Sequence, residues 1–504
     1  MMESIVKNSR SLLERLSNRF INFRILSILF LGFSAGIPLA ITGSSLSMWI
    51  SRLGVDIKTI GLFALVTIPF SFKYLWSPIF DNVAIPFLSK NLGFRKSWLI
   101  LMQICLMICI IALGQTSPLE NISLTAITAL LVSFFAATQD ILIDALRIEI
   151  LEKEEQALGA TLYVYGYRIA MLVSGSGSLF LSEYISWNSV FAVMSIGIIV
   201  GIITTLFLKE PSSSKKHLDE LPKFSYLVNS TFKFIKSKDF FSIIFYFIFL
   251  YIFLNFITEK FLLTNGTKTF IGFFITIIAI HFSKNKFKHI IPDSILDFCN
   301  RPQWIHILLF IVFYKFSDTL LDSLKSKFYV DTGFSNIEIA YIAKGLGFFM
   351  TMFGLFVGGL IYYRLKTFKS LLLAGILQTT SNLLFILVAE SQHNLIALSI
   401  AIAVENFTGS LNSVVVVAYL SSLCNLNYTA TQYALLSSLS NVGRTIMSAP
   451  AGYIVDAYGW VNFIWITSLV GIPAIILLYM MKDNILKSEN DNEARKEIST
   501  SAGS

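Results

Sequence analysis

The sequence predicts an all-α polytopic membrane protein made of two six-helix bundles with an extra membrane hairpin between them. Three observations carry that prediction. Apolar runs of bilayer-spanning length recur along the 504 residues, and the chain is 55% hydrophobic with a mean hydropathy of +0.70. Charged residues gather in short clusters between the runs, whereas a soluble chain of this size would need far more polar surface. Lys and Arg, finally, collect in alternate connections.

The elements follow in order. Residues 1–24, with Lys7, Arg10, Arg15, Arg19 and Arg24, form a basic segment. They lack a short apolar core followed by a small-residue cleavage site, so no removable signal peptide is expected. "SLLERLSNRF" reads as a surface-lying amphipathic helix. The N-terminal bundle, 25–208, comprises spans at 25–50, 60–82, 97–115, 122–147, 157–182 and 189–208. A central segment, 209–302, contains two apolar stretches within 239–283, separated by "TNGT" and read as an inserted hairpin. The C-terminal bundle, 303–481, has spans at 303–325, 338–363, 369–389, 394–421, 430–455 and 461–481, and 482–504 is a polar, disordered tail.

Orientation follows from charge. The N-terminus, "KNLGFRK", the surroundings of Arg147 and Lys153, region 209–238, "KNKFKH" and "YRLKTFK" fall on one side, which should be cytoplasmic. Both termini lie there. "SRLGVDIKT" and "KSKFYVDTG" are minor exceptions. The net charge of +8 is therefore a topology signal and not a nucleic-acid footprint.

The halves also resemble each other. "GYRIAMLVSGSGSLFLSEYISW" matches "GRTIMSAPAGYIVDAYGW", and "LGVDIKTIG" matches "TGFSNIEIA". Parallel six-helix repeats are the organisation of major facilitator transporters, whose substrate cavity lies between the halves near the midplane.

Charges inside the spans point to function. In "ATQDILIDALRIE", Asp140, Asp144 and Arg147 fall on one helical stripe. An ionised Asp at a helix centre costs about 2.5–3.5 kcal/mol on insertion scales, so the stripe should face protein or water. Arg147 is expected at the interface, Asp144 about one turn in and Asp140 about two turns in. Lys73, Arg168, Lys315, Asp318, Glu405 and Arg444 stand at similar depths in other spans. Helix-tying ion pairs explain any one of them about as well. The set together predicts a hydrated cavity for a polar, carboxylate-bearing substrate, with one acid carrying a proton. Ser, Thr, Asn and Tyr in "ITGSSLSMW", "YVYGYR" (which contains Tyr167) and "ENFTGSLNS" suit a ligand rich in hydroxyls and amides, although helix packing accounts for most of them individually.

Asp81 ends the second span, and Gly93, Arg95 and Lys96 open the third, in a stretched version of the major facilitator loop motif. Asp81 is expected to pair with Arg147 and with the N-terminal end of a helix from the other half. Asp81, Arg95, Asp144 and Arg147 would then form a cytoplasmic gate.

No metal or organic cofactor is expected. His217, His281, His289, His306 and His393 are scattered, and Cys105 and Cys109 on an apolar helix read as packing. "SGSGS" is a close-packing face, since no Gly-Lys-Ser/Thr follows it.

Residues 32–81, 133–151 and 166–187 closely resemble the AmpG family of muropeptide permeases, and "YKFSDTLLDSL" and "GFSNIEIA" extend the likeness into the second half. The resemblance implies a monomeric bacterial inner-membrane importer. It would carry GlcNAc-1,6-anhydroMurNAc, with or without peptide, from periplasm to cytoplasm for peptidoglycan recycling, driven by the proton motive force. Substrate carboxylates would then fall to Arg168 or Lys73, and proton carriage to Asp140 or Glu405. Another bulky anionic solute, as for the related acetyl-CoA transporters, is the alternative within the class; a membrane transferase and a transporter-like sensor are alternatives outside it.

Overall fold

The computed structural model describes residues 23–55, 59, 63–85, 87–152, 155–211, 292–391, 393–487 and 489. The expected hairpin at 239–283 and residues 490–504 of the expected tail lie outside them; within that tail, 482–487 are helical and Glu489 accepts from Thr367 N–H at 2.7 Å, so its start is ordered against the second unit. Contacts divide the chain into two compact units, Met1–Lys223 with Ser421–Ala434, and Phe224–Leu420 with Leu435–Ser504. Ser421–Ala434, which the sequence groups with the C-terminal bundle, packs within the first unit.

The first unit begins with α1 (Phe23–Ala40), a π-helical turn at Ile41–Ser45, and α2 (Leu46–Arg52). Pro38 has no N–H to give, and the Thr42 hydroxyl donates to the Pro38 carbonyl at 2.9 Å, so the irregular turn has a local cause. The second expected span is broken. A 3-10 stretch (Phe63–Thr67), α3 (Ile68–Phe72), a 3-10 turn (Lys73–Leu75) and α4 (Pro78–Asn82) stand where 60–82 was read as one helix. Pro69 and Pro78 withdraw two backbone donors within three turns, and hydropathy alone does not register that.

Short α5 (Leu88–Leu92) precedes α6 (Phe94–Gly114) and α7 (Ile122–Ile150). The Asn121 side chain caps α7 by accepting from Leu124 N–H at 2.9 Å. Then come α8 (Gln156–Leu181), α9 (Trp187–Ser195) and α10 (Gly197–Phe207). Helices α1 and α8 are pressed backbone to backbone. A Cβ on Gly32 would lie 2.2 Å from the Tyr163 carbonyl oxygen, and one on Gly166 would lie 1.9 Å from that of Leu29. Arg24 at the start of α1 pairs with Glu155 before α8 at 2.9 Å, and Arg52 at the end of α2 pairs with Glu183 just past α8 at 2.8 Å.

The second unit contains α11 (Asp293–Cys299), α12 (Trp304–Asp331), α13 (Asn336–Ile339), a π-helical stretch (Ala340–Leu346), α14 (Gly347–Ser381), α15 (Leu384–Ser391), α16 (Leu395–Ser422), α17 (Thr429–Leu469) and α18 (Ile472–Met480). The last turn of α16 and the first residues of α17 belong to the first unit. Two pairs of expected spans run through as continuous assignments with sharp kinks, at Lys366 in α14 and at Gly459 in α17. Both kink residues have positive φ, 60° and 76°, which suits Gly459 and strains Lys366. Helix α12 extends to Asp331, beyond the expected end at 325, so Lys325 lies in the helix and not in a connection.

Among the described residues, eight helical stretches are long and apolar enough to cross a membrane, one of them, Ile337–Ser391, covering two expected spans. Each unit has its own apolar core. In the first, Leu31, Leu99, Leu142 and Leu146 pack with Ala430 and Ala434; in the second, Phe328, Phe385, Leu398 and Phe463 pack together. Phe207, Phe349 and Ile396 are among many large apolar side chains left exposed, as a lipid-facing surface requires.

Candidate functional site

Two polar clusters occupy the first unit. One lies where α4, α6 and α7 end or begin and meets Ser421–Ala434. Arg95 is its hub: Nη2 donates to Asp81 Oδ1 at 2.7 Å, Nε and Nη2 donate to Glu149 Oε1 at 2.9 and 2.7 Å, and Nη1 donates to the Phe80 carbonyl at 2.5 Å. The side chains of Asp81, Arg95 and Glu149 are all but sealed from solvent. Such a buried ionic group holds only when every charge is bonded, and here each one is.

Asp81 also caps α17. It accepts from Thr431 N–H at 2.7 Å, the Thr431 hydroxyl at 2.6 Å and Ala430 N–H at 3.2 Å. A carboxylate at these first N–H groups satisfies orphan donors and opposes the positive end of the helix dipole. Glu149 accepts from the Thr429 hydroxyl beside it. Glu210 supports the cluster from behind, accepting from the backbone N–H of Arg95 at 2.8 Å and of Lys96 at 3.4 Å at the start of α6. Burial pushes the Glu210 carboxyl above its usual range, and these two N–H bonds work against that rise.

Arg147 does not pair with Asp81 as the sequence reading expected. It is fully buried, not at an aqueous interface, because Ser421 and Tyr433 cover it. Its guanidinium donates to Asp144 Oδ1 at 3.2 Å, to the Ser421 hydroxyl at 3.1 Å and to Gln156 Oε1 at 3.4 Å, and lies 5.4 Å from the Tyr433 ring centre. Arg95 takes the place facing Asp81.

The second cluster lies deeper along α7. Asp140 is half-buried, and among the described residues its one hydrogen bond is long, 3.5 Å from the Tyr163 hydroxyl. Lys73, buried at the break in the second span, is close enough to Asp140 for direct electrostatic attraction. The Tyr167 ring lies 6.0 Å from that of Tyr163, and Trp76 Nε1 donates to the Thr138 hydroxyl at 3.0 Å beside them. This site is aromatic and polar, and its charges are loosely held.

The remaining sequence candidates are dispersed. Arg168 is exposed at the middle of α8. In the second unit, Lys315 is half-buried on α12 and Glu405 is buried on α16. Glu405 accepts from Lys325 Nζ at 2.6 Å and from Asn406 Nδ2 at 3.2 Å, while Lys325 also pairs with Asp322. Asp318 and Arg444 belong to α12 and α17, and their side chains lie outside what is described. Glu149, Thr429, Thr431, Ser421 and Lys325 escaped the sequence reading. Glu149 stands past the expected end of its span and Lys325 in an expected connection, and the others are small polar residues whose partners are hundreds of positions away. Among the described residues, no group of His, Cys, Asp and Glu could hold a metal ion.

Residues 28–389 and 307–502 match the model of the Major Facilitator Superfamily. The chain is 33% identical over 473 residues to "Putative transporter AmpG 4" of Rickettsia conorii, covering 94% of this chain and 99% of that one. It is 32% identical over 468 residues to the "Anhydromuropeptide permease" of Escherichia coli K12, covering 92% and 81% respectively. This chain belongs to the AmpG family of major facilitator transporters. Its fold is shared with the proton:xylose symporter XylE, at TM-score 0.58 and 11% identity over 91% of this chain and 94% of that one. It is shared equally with FucP in the outward conformation, at TM-score 0.58 and 13% identity over 91% and 98%. An AmpG-family chain is a membrane transporter and not an enzyme, which removes the transferase alternative.

Proposed function

We propose that this AmpG-family protein imports anhydro-muropeptides, GlcNAc-1,6-anhydroMurNAc with or without peptide, across the bacterial inner membrane by proton-driven alternating access. The observation that carries the reading is its kinship with the Escherichia coli permease, 32% identity sustained over 92% of the chain. Both termini would be cytoplasmic, and the chain would act as a monomer without a cofactor.

The two clusters then take different parts. Lys73 offers a cation for substrate carboxylates, and Tyr163 and Tyr167 offer hydroxyls and ring faces for sugar and acetamide groups. Asp140 is the acid for proton coupling, since an intramembrane carboxylate with one long hydrogen bond and a nearby cation can exchange its proton without dismantling a network. Arg168, Lys315, Asp318, Glu405 and Arg444 remain candidates for substrate contact or coupling. Asp81, Arg95, Asp144 and Arg147, joined by Glu149, hold Ser421–Ala434 at the cytoplasmic end and serve as the gate.

The test is uptake of labelled anhydro-muropeptide into right-side-out and inverted vesicles, with a proton gradient imposed and then collapsed. Accumulation that follows the gradient is expected. Folded, inserted protein that moves none of it would overturn the cargo and direct the search to other bulky anionic solutes, acetyl-CoA-like ones first.

A further inference from the structure

Both units bury side-chain amides in their apolar interiors, at places that correspond between the halves. In the first unit, Gln103 on α6 and Gln139 on α7 are fully buried. Among the described residues, neither polar atom of the Gln103 side chain has a hydrogen-bond partner, nor does Gln139 Nε2. Gln139 Oε1 accepts from the Ser34 hydroxyl of α1 at 3.4 Å. A Cβ on Gly201 of α10 would lie 2.4 Å from Ser34 Oγ and 2.6 Å from Gln103 Nε2, so those two atoms are no more than about 5 Å apart and face the same glycine. The first, third, fourth and sixth spans of the half thus converge on one polar point.

In the second unit, Tyr314, Gly375, Gln378, Thr379, Asn412 and Ala474 line a small cavity of about 10 Å³, measured as the space open to the centre of a water molecule. They come from the first, third, fourth and sixth spans of that half. Asn412 is 1% exposed, and neither Nδ2 nor Oδ1 of its side chain has a partner among the described residues. Gln139 stands seventeen residues after Ile122, where α7 begins, and Asn412 stands seventeen after Leu395, where α16 begins. The fourth span of each half therefore carries its amide at the same depth.

Two buried amides at repeat-related positions are not an accident of one helix. An amide in an apolar bundle without partners destabilises the fold, and that cost falls away if a water takes the bonds. A cavity of roughly 10–15 Å³ by this measure holds one water, which makes two to four bonds. Around Asn412 the bonds are on offer. The Thr379 hydroxyl donates to the Gly375 carbonyl at 2.8 Å and the Tyr314 hydroxyl donates to the Leu371 carbonyl at 2.8 Å, which leaves both oxygens able to accept.

We propose that the C-terminal six-helix bundle binds a structural water in its interior, held by Asn412 with Tyr314 and Thr379. The water ties together the four helices that line its cavity, so that this bundle moves as one body.

Hydroxyl-radical footprinting by X-ray pulses on the full-length protein in nanodiscs tests this, because bound water generates radicals at its own site. Tyr314 is expected to be labelled, while Tyr419, equally buried on the same unit but outside the cavity lining, is not. In Asn412→Leu, labelling of Tyr314 should fall to the Tyr419 level. Tyr314 labelled no more than Tyr419 in the unaltered protein would overturn the proposal for the second unit, whether or not the variant folds.

Discussion

The two charged clusters of the first unit sit along the same helix, α7, and are built in opposite ways. Around Arg95, each carboxylate accepts at least two short bonds, from guanidinium, backbone N–H and threonine hydroxyl, and all three charged side chains are all but sealed from solvent. Around Asp140 the described residues offer one bond of 3.5 Å, a neighbouring lysine and two tyrosine rings. Saturated charges fix a conformation, because breaking any one contact strands another charge in a low-dielectric interior. Under-bonded charges keep their chemistry available to a ligand or a proton. The difference in bonding, more than the presence of charge, separates a latch from a binding site.

That contrast is open to direct attack. The largest expected effect is from Arg95→Ala, which leaves Asp81 and Glu149 buried without their cation. A loss of about 3–5 kcal/mol is expected in denaturant or thermal melts of the purified protein, as for other buried pairs broken on one side. A variant as stable as its parent would mean that the cluster is wetter than its geometry states. Asp140→Asn should do the reverse. Its melting point should stay close to the parent's, while gradient-driven accumulation falls at least about tenfold, equivalent to about 1.4 kcal/mol; undiminished, still pH-dependent uptake would move proton coupling to another acid, Glu405 first.

A smaller change sharpens the latch. Thr431→Val removes one of the three bonds on Asp81 from α17 but keeps the backbone donor, so a cost of about 1.5–3 kcal/mol for a bond to a charged group is the ceiling. Cytoplasmic access of a thiol reagent to a cysteine placed near Ser421 should increase, and unchanged labelling would exclude this contact from the gate. The smallest effect is expected at the far end of α2, where Arg52 and Glu183 are both substantially exposed. Arg52→Ala should shift the melt by no more than about 1 kcal/mol. A larger loss would mean that this end contact is as tightly held as the glycine-packed α1–α8 contact.

Particular residues show how far the sequence could be read. Asp140 stood out in "ATQDILIDALRIE" because a carboxylate two turns inside an apolar helix has few innocent explanations. Asp81 was legible through its motif, and its placement at a helix N-terminus followed from the dipole argument. Its guanidinium partner was misassigned. Arg95 and Arg147 are equivalent as letters, and only their positions in space decide which reaches Asp81. Glu149 lay inside the same quoted stretch, yet its partners, Arg95 and Thr429, are 54 and 280 positions away. The buried amides were hidden for a different reason: Gln103 and Asn412 look like ordinary polar residues in a transporter helix until their full burial is known.

The second span marks the boundary between these kinds of knowledge. Its hydropathy is that of a helix, and Pro69 and Pro78 are visible, but that they would break it into four pieces around Lys73 depends on what neighbouring helices supply to the freed carbonyls.

By itself the sequence determined the membrane, the helical class, the twofold repeat and the family, since each depends on local hydropathy, spacing or wording. Tertiary structure alone decided which charges are locked and which are loosely held, that Ser421–Ala434 joins the first unit, and that amides from both halves face small polar interiors. Those outcomes depend on contacts between residues far apart in the chain, and the energy of a buried charge or amide is set by the bonds it finds there.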